Sequence, residues 1–214
     1  MGSGKSTVAR EVARRLGFRY VDTGAMYRAV ALTALRRGVP PEDGEALADL
    51  ARSLRLEVEP APDGGTRIRV DGEEVTAGLR TVQVNRIVGQ VARVPGVRAA
   101  LKDLQRALGA EGRVVMEGRD IGSVILPDAE VKVFLTASPE VRARRRQAEL
   151  AAAGEQVDLE EVRRIEDEDD RAATTRDVAP LTVAPGAVVI DSTDLTVDQV
   201  VDRILELVRK ARGL

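Results

Sequence analysis

Gly2-Ser3-Gly4-Lys5-Ser6-Thr7 opens the chain and runs directly into Val8, Ala9, Val12, Ala13 and Leu16, which recur at helical spacing before Gly17. A glycine-rich turn that feeds a helix N-terminus is a cradle for phosphate. Backbone N–H groups and the helix dipole face the anion, a Lys ammonium reaches its outer oxygens, and a Ser or Thr hydroxyl can sit on Mg²⁺. The full pattern is G-x-x-x-x-G-K-[ST], and only its second half is present. Its first glycine and the strand that enters the loop would precede Met1. The expectation is therefore a start codon placed too late, or a fragment, in which a central sheet strand is missing. The alternative is that Met1 to Gly4 is a flexible leader.

Downstream, Phe18 to Asp22 reads as a short strand. A helix is expected from about Ala25 to Arg37, stopped by Gly38, and another begins at Pro40-Pro41-Glu42-Asp43. Leu56 to Glu59 and Arg67 to Val70 alternate as strands, and Asp71-Gly72 is a tight-turn signal leading into Glu73-Glu74-Val75. This reads as a small antiparallel insert at about 56–80. Helical spacing resumes over Val82 to Val94 and Val97 to Leu108. Val114 to Met116, Val131 to Leu135 and Ala187 to Ile190 are further apolar strands. Ser138-Pro139-Glu140 starts a helix, a charged helical stretch reaches Arg171, and Leu195-Thr196-Val197-Asp198 opens a C-terminal one. Strands alternating with helices predict an α/β fold, a parallel sheet flanked by helices. Ligands of such sheets bind at the carboxyl ends of the strands. Thr23, Arg28, Arg119, Asp120 and the phosphate loop are expected to converge there.

Composition narrows the chemistry. The 214 residues contain neither His nor Cys, so imidazole acid–base catalysis, thiolate nucleophiles and disulfides are excluded. What remains is Lys, Arg, carboxylates, hydroxyls and backbone dipoles, a set suited to phosphoryl transfer, where positioning and charge stabilisation dominate. The net charge of −2 gives no reason to expect a nucleic-acid partner. No apolar run is long enough to span a bilayer and no signal peptide is present, so a cytoplasmic soluble protein is expected, and it is taken as a monomer.

Two further stretches carry site chemistry. In Asp22-Thr23-Gly24-Ala25-Met26-Tyr27-Arg28 a hydroxyl and an arginine stand at a strand–helix turn. They could hold a nucleotide's sugar or base and its phosphate, or simply be a capped helix with a solvated Arg. In Glu117-Gly118-Arg119-Asp120-Ile121-Gly122 a fork donor adjoins an acceptor after an apolar strand, and the alternative there is a strand-end ion pair.

These stretches, together with Gln90-Val91-Ala92 through Pro95 to Val97-Arg98, Phe134 to Glu140, Val178-Ala179-Pro180-Leu181 and Asp191-Ser192-Thr193, resemble bacterial cytidylate kinases, within the nucleoside monophosphate kinase group of P-loop proteins. The resemblance spans almost the whole chain. It implies one P-loop kinase domain over 1–214, with a monophosphate-binding region at 25–108 that carries the antiparallel insert, and a lid at about 151–181. It implies ATP-dependent phosphorylation of CMP and dCMP with Mg²⁺. Gly2, Ser3, Gly4, Lys5, Ser6 and Thr7 would bind ATP, with the Ser6 hydroxyl on the metal. Thr23, Tyr27, Arg28, Arg98, Arg119 and Asp120 would bind CMP, and Lys5, Arg119 and Arg176 would act on the transferring group. The lid departs from the family pattern: Asp169 stands where an Arg is expected and Ala173 where an Asp is expected, with Arg171 placed to compensate for the first. The alternative reading is a weakened or silent nucleotide-binding relative.

Overall fold

The structure, a computed structural model, describes residues 2–152, 154, 156–174 and 182–213. It divides into two compact units, one of residues 13–118 and one of residues 1–12 with 119–214.

In the 13–118 unit, β1 (Arg19–Asp22) pairs in parallel with β5 (Val114–Glu117), with Asp22 opposite Glu117. Helix α2 (Thr23–Arg37) leaves β1 without a loop. The helix expected at Ala25 starts two residues earlier, because Asp22 keeps extended geometry (φ −88°, ψ 97°) and its carboxylate accepts from the Ala25 N–H at 3.1 Å. Asp22 is thus the N-cap, and Thr23 is already helical. Met26, Ala29, Val30, Ala31 and Ala34 are each 0 % exposed, so α2 runs through the middle of its unit's apolar core.

Around it lie α3 (Gly44–Ser53), capped by Asp43, α4 (Val82–Val91), capped by Thr81, and α5 (Pro95–Ala110) with Pro95 in its first turn. The apolar spacing up to Val94 does not continue α4. Pro95 holds Val94 extended at φ −68°, ψ 117°. Strands β2 (Leu56–Pro60), β3 (Thr66–Val70) and β4 (Glu73–Glu74) form the antiparallel sheet, with Val58 opposite Ile68. Asp71 (φ 52°) and Gly72 (φ 86°) make the two-residue β3–β4 turn, whose left-handed pair matches strand twist.

Helix α1 (Lys5–Leu16) begins at the phosphate loop, and its residues up to Val12 belong to the second unit. β6 (Val133–Thr136) pairs in parallel with β7 (Val188–Asp191), Thr136 opposite Asp191. α6 (Pro139–Ala152) is capped by Ser138, whose hydroxyl accepts from the Val141 N–H at 3.4 Å. α7 (Leu159–Thr174) and α8 (Val197–Ala211) complete the unit. A single π turn at Ile121–Ile125 follows β5, and nothing in the apolar pattern announces it. The four apolar strands read from the sequence therefore form two parallel pairs, β1–β5 and β6–β7. Residues 175–181 of the expected lid, Arg176 among them, and the side chains of Asp169 and Ala173 lie outside the described residues.

α8 starts with a complete capping box. The Thr196 hydroxyl accepts from the Gln199 N–H, and the Gln199 side chain accepts from the Thr196 N–H. Asp198 in the first turn and Arg209 and Lys210 in the last complement the helix dipole. Thr196→Ala is expected to lower stability by about 1 kcal/mol, measured by urea unfolding.

Candidate active site

Gly2 (φ 69°) and Gly4 (φ 83°) both take left-handed backbone. A Cβ at position 2 would lie 2.5 Å from the Arg142 carbonyl oxygen, so only glycine lets the loop lie against the start of α6. The Gly4 carbonyl accepts from the Val8 N–H at 3.0 Å, the bond that begins α1. The N–H groups of Ser6 and Thr7 precede that bond and point out of the helix end, where an anion meets both the donors and the dipole. The Lys5 ammonium sits 3.5 Å from the Ser3 hydroxyl, and Ser3 is buried.

The same unit carries Arg119 and Asp120. Asp120 is 6 % exposed and Arg119 is exposed. The Asp120 carbonyl accepts from the Val124 N–H at 2.9 Å and the Ile125 N–H at 3.3 Å, so the π turn is built on the backbone of Asp120. At the end of β7, Asp191 accepts from the Thr193 hydroxyl at 2.6 Å and the Thr193 N–H at 2.9 Å. These two bonds, the hydroxyl first, hold the Asp191 carboxyl below the usual carboxylate range. Its contribution to stability is therefore present above the unfolded value near 3.9 and disappears as pH falls through the lower folded value. Asp191→Asn is expected to flatten that acid limb in a pH series of thermal unfolding.

In the 13–118 unit, Thr23 and Tyr27 share one face of α2, four residues apart. The Thr23 hydroxyl donates to the Glu117 carbonyl at 2.7 Å, so the sequence-predicted base contact already ties α2 to the end of β5. Its lone pairs remain to accept from a ligand. Arg98 of α5 lies over the Tyr27 ring, 5.7 Å from its centroid, and donates to the Ala92 carbonyl at 3.2 Å. Both residues are 8 % exposed. Cation–π stacking and the carbonyl keep this buried guanidinium in one orientation. The Arg28 guanidinium folds back over the start of α2. A Cβ on Gly24 would lie 3.0 Å from Arg28 Nη1 and 3.0 Å from Asp22 Oδ1. Arg80, 65 % exposed, donates to Asp22 Oδ2 at 3.1 Å.

The structure thus brings Thr23, Tyr27, Arg28 and Arg98 together in one unit, and places the loop residues Gly2 to Thr7, Arg119 and Asp120 in the other. Sequence reasoning missed the carboxylate of Asp22, which both caps α2 and accepts from Arg80. It also missed Ser192, whose hydroxyl reaches the Ser3 carbonyl of the phosphate loop, and Arg145, which donates to Ser192. The Asp191-Ser192-Thr193 tripeptide at a strand's carboxyl end was the available signal. Among the described residues, no group of three or more acidic, His or Cys side chains is placed to hold a metal ion, and no helix is long and apolar enough to cross a membrane.

A family model described as "Cytidylate kinase" matches residues 1–210. The chain is 51 % identical over 211 residues to a cytidylate kinase of Pelotomaculum thermopropionicum, covering 99 % of this chain and 93 % of that protein. It is 50 % identical over 209 residues to a cytidylate kinase of Symbiobacterium thermophilum, covering 98 % and 92 %. A bifunctional pantoate ligase/cytidylate kinase of a Synechococcus strain matches at 49 % identity over 98 % of this chain but only 39 % of its own length. A match of this depth along nearly the whole sequence, on a chain that folds a phosphate loop into a helix N-terminus and buries an arginine against a tyrosine, makes this protein a member of the cytidylate kinase family.

Proposed function

We propose that this chain is a phosphotransferase that moves the γ-phosphoryl group of ATP to CMP and dCMP. Half identity to cytidylate kinases along the whole chain carries the reading. The bond from the γ-phosphorus to the β,γ-bridging oxygen breaks, a bond to a 5′-phosphate oxygen of the acceptor forms, and ADP leaves. That nucleophile is already anionic, so no side-chain base is required, which suits a chain with no His. The catalytic problem is repulsion between two polyanions, and fixed cations reduce it.

Gly2 to Thr7 hold the donor phosphates, with Lys5 on the outer ones. Arg28, Arg98 and Arg119 grip the acceptor phosphate. Thr23 and Asp120 contact the cytosine, Tyr27 lines its pocket, and Arg176 reaches the transferring group. Residues 25–108 form the monophosphate-binding region with its insert at 56–80, and about 151–181 form the lid of a single kinase domain. Ser6 offers one hydroxyl oxygen to Mg²⁺. A lone hydroxyl suits an ion that keeps several waters and takes its other ligands from nucleotide phosphates. When bound, Mg²⁺ would neutralise charge on the donor phosphates. The protein acts as a cytoplasmic monomer on small-molecule nucleotides.

The test is ADP release from ATP with CMP, dCMP, UMP and AMP as acceptors. CMP and dCMP are expected to turn over far faster than AMP, because the acceptor residues provide hydrogen-bond partners for a cytosine edge. Equal turnover of AMP would remove the cytidine assignment.

A further inference from the structure

Ser192, the first residue after β7, is 3 % exposed and is clamped by one arginine. From α6, Arg145 Nη1 donates to the Ser192 hydroxyl at 3.0 Å and Nη2 donates to the Ser192 carbonyl at 2.8 Å. The Ser192 N–H donates to the Thr136 carbonyl at 2.8 Å. Backbone and side chain of one residue are therefore held at three points. Since the hydroxyl accepts from Arg145, its single proton must leave on the opposite side. Two carbonyls stand there, Thr136 at 3.0 Å and Ser3 at 3.4 Å. Donation from a cation polarises the hydroxyl and strengthens its own donation.

The Ser3 carbonyl belongs to the phosphate loop. The peptide between Ser3 and Gly4 is planar and trans, so its C=O and N–H point in opposite directions. A hydroxyl that draws the Ser3 oxygen towards Ser192 turns the Gly4 N–H the other way. Gly2 and Gly4 leave this segment more backbone freedom than other residues would, so a hold on the Ser3 carbonyl adds to those at Gly2 and at the Gly4 carbonyl. Ser3 is also the residue whose hydroxyl lies beside Lys5, so fixing its backbone fixes the neighbourhood of that ammonium.

We propose that Ser192, oriented by Arg145, is a positioning residue for the donor nucleotide. It presets the Gly4 N–H of the phosphate loop towards the donor's phosphate oxygens and touches no substrate itself. This rests on the donor reading of the loop. The competing view is that Ser192 only ties β7 to β6 through Thr136, in which case losing it would loosen the unit without favouring either substrate.

The test compares ATP and CMP parameters for Ser192→Ala, Ser192→Thr, Arg145→Lys and Arg144→Ala. Arg144 is an exposed neighbour on α6 paired with Glu140 at 2.5 Å, and serves as the control. The bond to Ser3 is long at 3.4 Å and shares one proton with Thr136 at 3.0 Å, so its loss in Ser192→Ala predicts an ATP Kd and KM raised about 2- to 5-fold, with the CMP KM unchanged. Ser192→Thr is expected to recover most of the loss, Arg145→Lys to show a smaller loss in the same direction, and Arg144→Ala to match the parent chain. ATP binding is also titrated without acceptor, so a chain that fails to phosphorylate CMP would count against the kinase reading and leave this comparison intact. Wild-type ATP affinity in Ser192→Ala, or parallel loss for ATP and CMP, overturns the proposal. If Ser192→Ala does not fold, Arg145→Lys decides: an unchanged ATP Kd overturns it.

Discussion

Lys5→Ala is expected to lower kcat for CMP phosphorylation by about 10²–10³, the range seen when one preorganised charge-stabilising donor is deleted. The unfolding transition should barely move. Lys5 is the first residue of α1, and its truncation leaves intact the Gly4–Val8 bond, the left-handed glycines and the contact of Gly2 with Arg142. The charge also sits where the helix dipole already attracts anion, so nucleotide still binds and chiefly the chemical step suffers. A coupled assay of ADP formation alongside thermal unfolding gives both numbers. Turnover within a few-fold of the parent chain would mean that the loop is not the donor site.

Arg28→Ala is expected to raise the CMP KM by roughly 10- to 150-fold while the ATP KM stays within about twofold. A hydrogen bond to a charged group contributes about 1.5–3 kcal/mol, and each 1.4 kcal/mol is a factor of ten. Arg28 Nη1 lies over Gly24 at the start of α2, where a phosphate would meet both the guanidinium and the helix N-terminus. Arg28→Lys should recover little, since an ammonium cannot reproduce the planar fork. Titration with each nucleotide separately distinguishes the two sites. Equal losses for CMP and ATP would show that Arg28 serves the fold rather than the acceptor.

Much of this was legible in the sequence because its signals are local. The helix after Lys5, the Ser138-Pro139 start of α6 and the Asp71-Gly72 turn depend on neighbours a few residues away, and the structure has them. The α2 start was misread for a physical reason: Asp and Thr both cap, and only the backbone angles of Asp22 decide between them. The long-range bonds were not readable. Thr23 donating to Glu117 spans 94 residues, and Ser192 reaching Ser3 spans 189. Neither residue type nor spacing encodes such a pairing. Arg98 shows the same limit, since a charged residue in an amphipathic helix reads as solvated until the Tyr27 ring and the Ala92 carbonyl are seen to enclose it.

Helix α2 carries the proposed acceptor residues Thr23, Tyr27 and Arg28 in its first six positions, which also bury Ala25 and Met26 in the core, and its next six, Ala29 to Ala34, all lie in the interior of its unit. Recognition and packing are therefore written on one rigid rod rather than divided between a scaffold and adjustable loops. A methyl group lost at Val30 or gained at Ala31 is felt in this close-packed interior, and any shift of the helix that absorbs it would carry the three proposed acceptor side chains with it. Drift in this interior would register as altered nucleotide affinity well before it registered as unfolding. The acceptor's binding constant is, in effect, a gauge of how well the helix is seated.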